Sequence, residues 1–190
     1  MRTLGGVPAD RWQAPAGELE WTCWETMEHL ADDLISYALR FGLAEPLRAP
    51  RIPIRITQDR EAGPDNIVFA DAAAGPEGLL TAVEACGGVL ATVVDATAPA
   101  TLAPHVYGAS DPSGFAAMGV VETLIHTYDV TSGLGLPFEP PAELCALSLA
   151  RLFRDVPAIE APWPDLLWAA GRIELRGRAR RTDWRWYGAP

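Results

Sequence analysis

Along residues 21–42, Met27, Leu30, Leu34, Ala38 and Phe41 recur at three- and four-residue intervals, while Glu25, Glu28, Asp32 and Arg40 fall between them. That is the pattern of a helix with one buried face. Thr22 followed by Glu25 forms a capping box at its start, and Gly42 suits a stop at its end. Pro76 at a first turn, with Leu79, Leu80, Val83, Leu90 and Val94 behind it, predicts a second helix to about Asp95, weakened at Gly87-Gly88. Asp111-Pro112 supplies an N-cap and a proline at the first helical position, so a third helix is predicted to about Ser132, with Gly133 stopping it. Pro140-Pro141 opens a fourth, shorter helix through Phe153.

The period changes between the first two helices. Residues 52–57 and 66–70 are short β-like runs around the turn-forming Ala62-Gly63-Pro64-Asp65, which predicts a small hairpin. After Asp155 come Pro162-Trp163-Pro164, an alternating run over 172–176 and the closing Trp184-Arg185-Trp186-Tyr187, read as one or two strands extending that hairpin. The expectation is a mainly α fold: a helical bundle with a minor β element, in one domain over residues 1–190.

Charge narrows the choice of partners. Acidic residues outnumber basic ones 25 to 15, for a formal net charge of −10, and such a surface repels a phosphate backbone. Nucleic acid and anionic membrane are therefore not expected as partners. Residues 1–20 contain no apolar signal core and no uncharged run has bilayer-spanning length, so a soluble cytoplasmic protein is expected. Cys23, Cys86 and Cys145 are odd in number and far apart, which predicts small buried apolar residues in place of a disulfide framework.

Chemistry gathers on two of the helices. In Glu122-Thr123-Leu124-Ile125-His126 the outer residues are four apart and share one helical face, in phase with Phe115, Met118 and Asp129. His29 lies at the margin of the first helix's apolar face, one turn before Asp33 and two before Tyr37. Two imidazoles and a carboxylate from facing helices would make a three-ligand metal site with coordination left open. Spacing alone does not separate such ligands from satisfied core histidines. Asp33 and Asp129 are either acceptors for imidazole N–H groups or solvated helix positions. His105 sits in a Pro104-His105-Val106-Tyr107 loop, where a surface or packing role is expected. Arg55, Arg60 and Arg172 are carboxylate-pairing side chains or exposed charge, and Trp163, Trp168, Trp184, Trp186 and Tyr187 are expected to pin the tail to the core.

Two segments carry a family resemblance. Residues 20–34, running through Trp21 and Trp24 into His29-Leu30-Ala31, and residues 108–135, with Asp111-Pro112-Ser113-Gly114, Met118-Gly119-Val120-Val121-Glu122 and His126-Thr127-Tyr128-Asp129, resemble the two signatures of the DinB-like, mycothiol-dependent maleylpyruvate isomerase family. Gly171-Arg172 and the closing Trp184-Arg185-Trp186 are similar to its tail. The resemblance implies that His29, Glu122 and His126 ligate a divalent metal, usually zinc. It also implies a DinB-like bundle and a low-molecular-weight thiol, mycothiol, used for S-transfer to, or isomerisation of, a small electrophilic substrate. Metal-dependent hydrolysis on the same fold and a non-catalytic metal- or ligand-binding protein are the alternatives. Relative to the family, the first bundle helix is expected to be missing, since six residues precede Val7, as is the separate C-terminal domain. The missing helix would leave the Met27, Leu30, Leu34 and Phe41 stripe to be covered by the C-terminal segment or by a second copy, hence an expected homodimer.

Overall fold

The computed structural model describes residues 4–48 and 52–190. Five α-helices follow one another: α1 (Cys23–Arg40), α2 (Gly75–Ala96), α3 (Pro112–Leu134), α4 (Ala142–Leu152) and α5 (Pro162–Ala169). The fold is mainly α, as expected. Among the described residues only a 3-10 helix, Ala9–Gln13, precedes α1, and it drives Trp12 fully into the core.

Helix α1 starts where the capping box places it. The Thr22 amide donates to Glu25 Oε2 at 2.8 Å, and the Glu25 amide donates to Thr22 Oγ1 at 3.1 Å. Its apolar face, Met27, Leu30, Ala31, Leu34 and Ala38, is buried against α2 and α3. The stripe expected to need a second copy is thus covered within the chain, and by α2 and α3, not by residues 141–190.

Helix α3 is capped by Asp111, whose carboxylate accepts from the Gly114 amide at 2.7 Å. It runs past Gly133 to Leu134, and Gly135 ends it at φ 69°, in the left-handed region that glycine enters without strain. Gly133 serves a different purpose. A Cβ there would stand 2.1 Å from the Pro15 carbonyl oxygen, so its bare backbone lets the 14–17 loop close on α3.

The predicted hairpin is not formed. One antiparallel bridge, Thr57 with Asn66, is all that joins the two runs. The competing interaction comes from α1: Asp32 Oδ1 accepts from the Ile67 and Val68 amides at 2.5 and 3.0 Å, and Glu28 Oε1 from the Ala70 amide at 2.9 Å. Backbone donors that a partner strand would have used are satisfied by buried helix carboxylates.

The expected tail strands are likewise replaced. Residues 172–178 make only the Leu175 to Arg178 bridge, around a tight turn with Arg176 at φ 45° and Gly177 at φ 74°. Upstream of it the unpredicted α5 begins at Pro162, with Pro164 still inside its first turn, where the lost amides have no helical acceptor anyway. The aromatic tail does pin itself to the core: Trp186 is buried, Trp184 lies against Phe153, and the Tyr187 amide donates to the Leu152 carbonyl at 2.7 Å.

Among the described residues an apolar groove stays uncovered. A groove of about 490 Å³ runs between α2, α3 and α4, lined by Gly87, Leu90, Ala91, Val120, Leu124 and Leu144 among others. Val89 and Leu147 stand exposed on the same two outer helices. By length and composition α2 with its preceding turn, Ala72–Ala96, is also apolar enough to cross a bilayer, although Glu77, Glu84 and Asp95 interrupt it and here it packs on α1 and α3 as a bundle helix.

Candidate metal centre

The crossing of α1 and α3 brings His29, Glu122 and His126 together. The two imidazole centroids are 5.6 Å apart at an interplanar angle of 80°. Glu122 Oε2 is 3.3 Å from His126 Nε2, as the i,i+4 spacing requires, and Glu122 Oε1 accepts from the Tyr37 hydroxyl at 3.1 Å. Asp33, one turn beyond His29, joins them, with Oδ2 3.4 Å from His29 Nε2. Among the described residues, the donor atoms of His29, Asp33 and His126 all lie within 4.8 Å of one another. Asp33 is therefore part of the cluster itself, beyond the role as hydrogen-bond acceptor considered for it from sequence.

Both imidazoles are anchored on the side away from this cluster. His29 Nδ1 donates to Asn66 Oδ1 at 3.0 Å, and His126 Nδ1 donates to Asp129 Oδ2 at 3.2 Å. With Nδ1 of each ring engaged as a donor, Nε2 of each ring faces the other groups of the cluster. Asp129 is itself clamped by Arg172, whose Nε and Nη2 reach its two oxygens at 2.9 Å each.

Burial and charge set the protonation of the cluster. Burial together with the positive charge of His126 holds His29 below the ordinary imidazole range, so it is neutral. Burial pushes His126 the same way, but hydrogen bonds to Asp129 and Glu122 outweigh it and bring the ring up to about 9. Burial, reinforced by the Glu122 charge, raises Asp33 well above the usual carboxylate range. Burial also acts to raise Glu122, yet its contacts with His126 leave it lowered. Without a cation His126 therefore keeps its proton at neutral pH, and Asp33 is biased toward its protonated form. The imidazole nitrogens of His29 and His126 with the Asp33 carboxylate, and Glu122 against His126, form a donor set that fits a divalent ion.

The exposed side of the cluster is the α1 side: the His29 and Asp33 side chains are 22% and 20% exposed, against 7% for His126. Trp21 flanks that side, its ring 4.7 Å from His29 and 6.4 Å from His126. His105 does not join the donors. It packs on Tyr37, Phe115 and Trp186 and is kept neutral by burial, which lowers it to about 4. Of the candidate anion-binding arginines, Arg60 pairs with Glu25 at 2.8 Å, Arg172 holds Asp129, and Arg55 is exposed away from the cluster. Asn66 escaped the sequence reading because nothing marks a loop asparagine as a histidine partner.

Fold and site together define a helical-bundle protein with a buried histidine–carboxylate cluster of metal-binding type. The chain belongs to the mycothiol maleylpyruvate isomerase N-terminal domain family, whose model matches residues 1–131. No curated protein and no solved structure gives a match.

Proposed function

We propose that this protein holds a divalent metal, zinc by family resemblance, on His29, Glu122 and His126 with Asp33 beside them, and that the metal centre binds a low-molecular-weight thiol, mycothiol, for S-transfer or isomerisation of a small electrophilic substrate. The observations that support the reading are the convergence of His29, Asp33 and His126, with Glu122 paired to His126 and both Nδ1 atoms already engaged, together with the family match. A bound dication would supply acidity, keeping a thiol sulfur as thiolate at neutral pH. The chain's own part is to exclude water from the α3 side, to leave approach open along His29 and Asp33, and to wall it with Trp21.

Asp33 favours a second reading. Four protein donors close a tetrahedral site, as in structural centres, whereas three leave a position for substrate. A non-catalytic metal-binding protein follows if Asp33 stays bound, and thiol chemistry follows if an incoming sulfur displaces it. The same centre with bound water would support hydrolysis.

Elemental analysis of freshly purified protein tests the first step. Wild type and Cys86→Ala are expected to carry equal metal, and His126→Ala to have lost most of it; equal content in all three would refute the assignment. Titrating mycothiol into cobalt-loaded protein tests the second, since sulfur binding gives a charge-transfer band and a closed site gives none.

A further inference from the structure

We infer that Asn66 and the Asp129–Arg172 pair are positioning residues, each fixing the Nδ1 side of one histidine so that both Nε2 atoms present lone pairs to the same point. The inference rests on the metal reading above and extends it to three side chains that touch no metal. It also makes the C-terminal segment part of the centre, because Arg172 lies outside the matched residues 1–131.

Asn66 is fully buried and held on both flanks. Its backbone exchanges hydrogen bonds with Thr57 at 2.9 and 3.0 Å, and the next two amides are fastened to Asp32. The loop is thereby clipped to α1 one turn away from the ring it serves. Asn66 Nδ2 has no hydrogen-bond partner. A buried amide donor left unmet costs roughly 1–3 kcal/mol. Turning the amide over would bring Nδ2 to the ring and free Oδ1, but then Nδ1 would accept, Nε2 would carry the hydrogen, and the ring could not ligate. The orphaned donor accompanies the one orientation that keeps His29 ready for a metal.

The second support is built differently. Asp129 Oδ2 is shared between His126 Nδ1 and Arg172 Nη2, and Oδ1 is taken by Arg172 Nε, so the carboxylate has no rotational freedom. Arg172 in turn is set by the end of α5. Its amide donates to the Leu167 carbonyl at 2.8 Å and its Nη1 to the Ala170 carbonyl at 2.9 Å. The helix missing from the sequence reading is the element that delivers the guanidinium. A carboxylate behind an imidazole raises its strength as a ligand, and losing such a partner typically costs about 10–100-fold in metal affinity.

The test uses the full chain and cobalt as the probe, reading affinity by competition with a chromophoric chelator and geometry from the visible spectrum. Asn66→Ala and Asp129→Ala are expected to bind Co2+ about 10–100-fold more weakly with altered spectra. Asn66→Asp, which retains the acceptor, is expected to recover the wild-type spectrum, whereas Asp129→Asn, which turns an N–H toward one of the three donors on Asp129, is expected to stay weakened. Thermal melting without metal identifies variants that fold. Arg172→Gln replaces a partly exposed side chain and keeps the comparison decisive if Asp129→Ala does not melt cooperatively. Folded variants with wild-type affinity and spectrum would overturn the positioning roles while leaving the metal site standing. A wild-type protein that takes up no cobalt would instead overturn the metal reading beneath them.

Discussion

His126 faces an acid on each side of its ring, and that alone sets how the cluster must respond to pH. Its proton is held until about pH 9, so a metal arriving at neutral pH must displace it. The sign follows directly: below 9 protons compete for Nε2, hence metal affinity is expected to rise with pH and level off above that value. Calorimetry of metal binding at pH 7 in buffers of different ionisation enthalpy is expected to show proton release, shrinking toward pH 9. Identical heats in every buffer would contradict the proposed protonation state. At this scale the sequence singled out His29, Glu122 and His126 as candidates, because helical spacing and motif resemblance are local properties. Asp33 was read as an imidazole acceptor or a solvated position but not as a member of the donor group, since its orientation depends on the α1–α3 crossing. Asn66 belongs to a loop whose position relative to α1 no periodicity encodes.

The helices were legible for the same local reason: caps at Thr22 and Asp111 and the apolar spacing of α1 and α2 are written within a few residues of where they act. The hairpin misled because β-like runs Ile52 to Thr57 and Asn66 to Ala70 have the right residues but compete with Glu28 and Asp32 for the second run's amides. Helix α5 was hidden by two prolines that are harmless only in a first turn. Gly133 was read as a stop when its absent side chain is used for close approach. Gly133→Ala is accordingly expected to destabilise the protein by about 1–3 kcal/mol, the usual cost of overpacking, whereas Gly88→Ala, with open space around its Cβ, is expected to be neutral or stabilising. Denaturant unfolding of the two variants checks this, and equal midpoints would remove the close-approach argument.

For the whole molecule, the stripe on α1 is covered from within, and the surface left apolar is the groove bounded by α2 and α4. We propose that the chain self-associates through this groove, with Val89 and Leu147 at its edges, since one face can then serve both copies around a two-fold axis. Sedimentation at micromolar concentration is expected to show self-association in the wild type, lost in Leu147→Glu without loss of helicity. A wild-type monomer would remove the proposal.

The clamp from Arg172 to Asp129 also has a consequence for biosynthesis. Chains emerge from the ribosome N-terminus first, so His29 and then the pair on α3 are available while α5 is still unmade. Arg172 arrives 43 residues after the carboxylate it holds. Until then Asp129 lacks the guanidinium that fixes both of its oxygens. The centre therefore matures late: a nascent chain would hold metal more weakly, and full affinity would come only once the C-terminal segment had folded back.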